Sequence, residues 1–153
     1  MENVHNFYLE TEPGIKVGIW HYVPEPLKYN QLHASKPINE HFKRYFKTDD
    51  TRPIILYAHG NDGDRARVNR RGLCNRLNQM GYHVFSIDYR GYGDSSGWPS
   101  EKGVVNDVVT LYNFIKAVKN DSRVFLWGHS LGTGISSHAA KVLSEFNCKC
   151  INH

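Results

Sequence analysis

Gly128-His129-Ser130-Leu131-Gly132 sets a hydroxyl between two glycines, each two residues away. The short apolar run Val124, Phe125, Leu126, Trp127 leads into it, and a helical pattern leads out. A serine held on a tight strand-to-helix turn has a strained backbone, and the positions two before and two after it must lack side chains that would strike the neighbouring strand and helix. Gly128 and Gly132 meet that requirement. Such a serine is exposed as a nucleophile for acyl transfer, with Ser130 in that role. The helix that opens beyond it turns free N–H groups and its dipole toward the place where an oxyanion would form. The main-chain N–H of Leu131 is therefore expected to be one donor of an oxyanion hole. The same spacing also suits a turn that merely packs closely, or one that cradles a phosphate.

Two other segments carry chemistry at comparable places. His59-Gly60-Asn61-Asp62-Gly63 follows the apolar run Ile54–Ala58, and Asp88-Tyr89-Arg90-Gly91-Tyr92-Gly93 follows a second run ending at Ile87. The backbone N–H of Asn61 is the candidate for the second oxyanion donor. His59 is expected to brace its loop by hydrogen bonding, His129 to line the pocket or pack, and Asp88 and Arg90 to fix the glycine loop. Beyond Ser130 the histidines are His138 and His153 and the carboxylate is Glu145. His138 and Glu145 ride the helix leaving the turn, whose direction carries them away from the serine hydroxyl, and His153 lies past that helix. No triad acid or base is therefore expected within this sequence, although the usual chain order is Ser, then Asp or Glu, then His.

The elements that must position these groups follow from periodicity. Phe7-Tyr8-Leu9 and the alternating segment from 15 to 23 read as an antiparallel hairpin joined at Pro13-Gly14. Residues 24–53, with Pro24, Pro26, Pro37 and Pro53, read as a surface excursion with a short helix near 41–46. Its Phe42, Tyr45 and Phe46 suit either packing on the body or contact with a lipid or partner. Ile54–Ala58 reads as a buried parallel strand. A helix is expected over roughly 66–80, capped by Gly81, then a strand from Tyr82 to Ile87. Val104, Val105, Val108, Leu111, Tyr112, Ile115 and Val118 form an amphipathic helical stripe, followed by a strand at 123–127 and the helix after Ser130. This alternation predicts an α/β fold with a mostly parallel sheet, an N-terminal antiparallel hairpin and helices on both faces. Ligands of such sheets bind at the carboxyl ends of the strands, where the three chemical segments fall.

Composition sets the outer bounds. With 40% hydrophobic and 22% charged residues in 153, and no run of eighteen apolar residues, the sequence reads as one soluble globular unit over 1–153. The first residues lack the basic and apolar regions of a signal peptide, so the reading from sequence alone is cytoplasmic. Cys74, Cys148 and Cys150 are expected to be free thiols, with no metal spacing among them. Asn120-Asp121-Ser122 is a glycosylation sequon only in a secretory lumen, and otherwise a polar turn. The net charge of +4 is too modest for a nucleic-acid surface. Arg65, Arg67, Arg70, Arg71 and Arg76 are expected to form a solvated helix face, the alternative being attraction of an anionic head group.

The motifs Tyr57-Ala58-His59-Gly60-Asn61, Gly81-Tyr82-His83-Val84-Phe85, Asp88-Tyr89-Arg90-Gly91-Tyr92-Gly93-Asp94-Ser95 and Trp127-Gly128-His129-Ser130-Leu131-Gly132-Thr133-Gly134 resemble those of α/β-hydrolases. With Gly18-Ile19-Trp20-His21 and Val23-Pro24, they are similar to the α/β-hydrolase domain-containing protein 12 group of monoacylglycerol and lysophosphatidylserine lipases. The resemblance implies a serine esterase cleaving acylglycerols or lysophospholipids, with Ser130 as nucleophile and the N–H groups of Asn61 and Leu131 as oxyanion hole. It implies no metal or organic cofactor. It also implies association with the endoplasmic reticulum membrane, which that group achieves through an N-terminal transmembrane helix not seen in this sequence. The group's triad Asp and His come from later loops, so the resemblance makes 1–153 a C-terminally incomplete hydrolase domain. The alternative is a non-catalytic short form or interaction fragment. The strand at 123–127 would then present an open apolar edge, and self-association is expected.

Overall fold

A computed structural model describes residues 4–24, 42, 45, 46 and 50–151, with side chains to Glu145. Five strands form one sheet: β1 (Val4–Glu12), β2 (Ile15–Tyr22), β3 (Ile54–Ala58), β4 (His83–Asp88) and β5 (Val124–Gly128), in the spatial order β1-β2-β4-β3-β5. The hairpin turns at Pro13-Gly14, where Gly14 at φ 79° supplies the left-handed residue that a proline-led turn needs. β1 pairs antiparallel with β2 and β2 with β4, whereas β3 runs parallel to both β4 and β5. The sheet is thus mixed, more evenly than its alternating sequence suggests, because the hairpin joins on β4.

The register sets the three chemical segments at one edge. Ala58 lies opposite Ile87 of β4 and Gly128 of β5, so the chain leaves β3, β4 and β5 at the same level. β3 and β4 are buried at every position, as strands covered on both faces must be.

Helices cover the two faces. α1 (Val68–Gln79) packs on β4 and β2, with Cys74 and Leu77 against Tyr22, Ile55, Tyr57 and Val84. It ends in a Schellman cap, the Tyr82 amide donating to the Leu77 carbonyl and Gly81 standing at φ 92°. Burial pushes the Cys74 thiol up to about 12, which keeps it protonated. α2 (Glu101–Val118) starts at Ser100, whose hydroxyl accepts from the Gly103 amide at 3.1 Å, and turns Val104, Val105, Val108, Leu111 and Ile115 inward. α3 (Leu131–Ile151) packs on β5, β3 and α2 over the larger core.

Most of the 24–53 excursion lies outside the described residues. Of its aromatic residues, Phe42 and Tyr45 are buried and Phe46 half-buried. Phe42 sits among Phe7, Phe85 and Phe114, so it belongs to the body and is not offered to a lipid. Beside it His21 Nε2 meets His83 Nδ1 at 2.9 Å, and His83 Nε2 meets Asp50 at 3.1 Å. This polar string crosses an aromatic stack at the end of the sheet opposite Ser130, and burial holds the His83 imidazole below its usual range.

Candidate active site

Ser130 is the non-glycine residue with positive φ among those described, at 53°. An L residue enters that region at a cost, so something must hold it there. Two close approaches do so. A Cβ on Gly128 would stand 2.5 Å from Thr133 Cα, and one on Gly132 would fall on the Ala58 carbonyl and 2.7 Å from that of His59. The first keeps helix α3 against β5, and the second keeps it against the end of β3. The His129 amide also donates to the Ala58 carbonyl at 3.0 Å, tying the turn to β3. Ser130 is exposed, and Leu131 opens α3 with 38% of its surface accessible. The first amides of a helix have no partner within it.

The loop after β3 is held from below. Arg70, on α1 and 5% exposed, donates to the carbonyls of Gly60 at 3.1 Å, Asp64 at 2.7 Å, and Asp62. His59 Nδ1 lies 2.7 Å from the Gly60 carbonyl, and its Nε2 lies 3.0 Å from Asp88 Oδ1. Because a trans peptide directs its C=O and N–H to opposite sides, a Gly60 carbonyl turned to Arg70 turns the Asn61 N–H away from Arg70. The Asn61 side chain is fixed as well, its Oδ1 accepting from the Tyr92 hydroxyl at 2.6 Å. Gly60 meets the elbow directly, since a Cβ there would stand 3.2 Å from Ser130 Cβ and 3.1 Å from His129 Nδ1. His129 thus packs on Gly60, and His59 braces the loop through Nδ1, its buried Nε2 lying near Asp88 without a hydrogen bond.

Arg65 corrects the reading of the basic group. Only 4% exposed, it donates its amide to Asp88 Oδ1 at 2.6 Å and its guanidinium to Asp88 at 2.5 Å, Asp94 at 2.6 Å and Asn6 at 3.0 Å. Arg65 and Arg70 are therefore internal ties, while Arg67 and Arg76 are exposed. Sequence reasoning missed both because their acceptors are backbone carbonyls or distant carboxylates; the burial of Arg70 has a sequence signal only in its position on the α1 face that carries Cys74 and Leu77. Hydrogen bonding to Arg65, with a further bond from Tyr8, holds the Asp94 carboxyl down at about 2. Arg90 donates to Asp107 on α2 and to Glu12 on β1, pinning the start of the glycine loop as expected.

A cavity of about 930 Å³ lies against this turn, with Asn61 and Leu131 both in its wall. His138 is not directed to Ser130: its Nδ1 lies 3.5 Å from Glu101 across the cavity. Glu145 is exposed farther along α3, and His153 lies outside the described residues, as do the side chains of Cys148 and Cys150. Among the described residues no group of His, Cys, Asp and Glu could hold a metal ion. No described helix is long and apolar enough to cross a membrane.

Residues 49–149 match the family model described as serine aminopeptidase, S33. Zebrafish (Danio rerio) lysophosphatidylserine lipase ABHD12 is 41% identical over 95% of this chain, and human (Homo sapiens) protein ABHD12B is 44% identical over 94%. The chain spans 37% and 38% of those two relatives. Among solved structures, the ferulic acid-bound Est1E of Butyrivibrio proteoclasticus superposes with a TM-score of 0.70 at 17% identity, covering 91% of this chain and 48% of that one. XC6422 of Xanthomonas campestris, an α/β serine hydrolase without a lid, gives 0.68 at 16% identity, covering 93% and 57%. These two likenesses show the fold.

Proposed function

From the premise that this chain belongs to the serine aminopeptidase S33 family within the α/β-hydrolase superfamily, we propose that it carries the nucleophile half of a serine esterase that cleaves acylglycerols or lysophospholipids. The observation that carries the reading is Ser130 at φ 53°, clamped by glycines whose Cβ positions are filled by backbone. In this reading the Ser130 hydroxyl attacks the ester carbonyl, and the oxygen, gaining negative charge, accepts from the N–H groups of Leu131 and Asn61. The alcohol leaves, and water cleaves the acyl-enzyme. Arg70 and His59 contribute by holding the loop that presents Asn61, so that little reorganisation accompanies the charge. The preference for lipid esters over peptides rests on the 41% identical relative named a lysophosphatidylserine lipase. By the same likeness we place the protein's work at a membrane surface, that of the endoplasmic reticulum, with no cofactor.

A second reading is a non-catalytic binding fragment, and one observation favours it. Among the described residues, His59 is engaged with Asp88 and Gly60, and His138 faces Glu101, so neither is placed as a base for Ser130. A fluorophosphonate probe separates the two. Labelling of the wild-type chain that disappears in Ser130→Ala supports the esterase; folded wild-type protein that takes no label supports the binding fragment.

A further inference from the structure

The three residues that open the loop after β3 are gripped from the loop after β4. The Tyr89 hydroxyl donates to the His59 carbonyl at 2.9 Å, between two fully buried residues. Tyr89 and Tyr92 set their rings on the His59 imidazole, with centroids 4.7 and 5.3 Å away, and that imidazole meets the Gly60 carbonyl through Nδ1 at 2.7 Å. The Tyr92 hydroxyl donates to Asn61 Oδ1 at 2.6 Å. His59, Gly60 and Asn61 are thus each tied to Tyr89 or Tyr92, Gly60 by way of the His59 ring.

The two tyrosines are set by their own turn. The Tyr92 amide donates to the Tyr89 carbonyl at 3.0 Å, the Ser95 amide donates to the Tyr92 carbonyl at 2.9 Å, and the rings meet edge to face at 5.6 Å. Burial raises the Tyr89 phenol above its ordinary range, so it keeps the proton it donates. Arg70 holds the Gly60 carbonyl on one side of the 60–61 peptide, and Tyr92 holds the Asn61 side chain on the other. Asn61, Tyr92 and Leu131 share one cavity wall.

We propose that Tyr92 is a positioning residue of the oxyanion hole: by fixing the Asn61 side chain it keeps the Asn61 N–H aimed at the oxygen that gains charge during acyl transfer. This role rests on the esterase reading, which supplies that oxygen. Tyr89 supports it by tying the tyrosine turn to His59. A hydrogen bond that strengthens only as charge develops adds rate without adding affinity. Tyr92 therefore acts on the acylation step and leaves binding of the neutral ester alone.

The test is the kinetics of Ser130 labelling by a fluorophosphonate on the full chain. Tyr92→Phe removes one hydroxyl and keeps the ring contacts, so the maximal labelling rate should fall about tenfold while the half-saturating probe concentration stays unchanged. Asn61→Ala keeps the backbone N–H, gives up the side chain and should fall by a similar factor. Because both changes break the same link, the double variant should be no slower than Asn61→Ala. Thermal melts followed by circular dichroism check that each variant folds. A Tyr92→Phe rate within about twofold of wild type, a loss confined to probe affinity, or a Tyr92→Phe loss that persists in full on top of Asn61→Ala overturns the positioning role. A wild-type chain that takes no label overturns the esterase reading, and 15N relaxation then decides whether Tyr92 holds Asn61. An Asn61 amide order parameter that falls in Tyr92→Phe keeps the tyrosine tie, and an unchanged one overturns it as well.

Discussion

Three glycines within seven residues do different work, and one methyl group distinguishes them. At Gly132 a Cβ would coincide with the Ala58 carbonyl, two rigid backbones that cannot both yield. Gly132→Ala is expected to lose at least about 2 kcal/mol, as overpacked sites do, read as a lower urea midpoint. At Gly134 the same methyl enters open space, and Gly134→Ala should gain roughly 0.5–1 kcal/mol from the better helix former. Equal effects at the two sites would contradict the strand-to-helix geometry described for Ser130. The spacing of glycines around a serine was readable in the sequence because the steric demand is local. The distinct part of Gly134 was not, because open space is a property of the neighbours.

At the scale of elements, the loops after β3 and β4 are joined by Arg65 between Asp88 and Asp94. Asp94 has a folded-state value of about 2 against an ordinary 3.8, so the folded chain prefers its carboxylate. Its contribution is complete above the ordinary value and is lost as pH falls from about 4 to about 2. Its side chain is 51% exposed, and solvent screening keeps the effect modest. Asp94→Asn should flatten that part of the stability-versus-pH curve, which thermal melts at a series of acidic pH values would check. The strands and helices themselves were legible: β3 and β4 as apolar runs, α2 as a valine stripe, the hairpin from Pro13-Gly14. β1 was read too short because Asn6 and His5 interrupt its apolar pattern, while pairing with β2 extends it from Val4 to Glu12. The fate of the arginines was not legible, since a count of charges does not say that Asp88 and Asp94 fold back over Arg65 from 23 and 29 residues away.

For the whole molecule the two margins of the sheet contrast. β1 carries Glu10 and Glu12 and a register shift between them, features that discourage pairing with another chain. β5 carries Val124, Phe125, Leu126 and Trp127 without a charge, and in the described sheet its neighbour is β3 alone. Phe125 is 53% and Trp127 44% exposed, on the same face of the sheet as Ile55 and Tyr57 but beyond the strands that α1 covers. This chain should therefore elute from a sizing column as concentration-dependent oligomers, and Phe125→Lys with Trp127→Lys should move it toward monomer. A wild-type chain that remains monomeric at high concentration would refute this. The opposite margin has its own dependence, because Arg65 reaches Asn6 on β1, and Tyr8 reaches Asp94. Removing Arg65 alone would take the cation from a fully buried Asp88, whereas half-exposed Asp94 can go and leave Arg65 bonded to Asp88 and Asn6. Positions 65 and 88 can therefore drift only together. Over evolutionary time they should behave as one inherited character spread across two segments, changing in concert or not at all, while position 94 varies more freely.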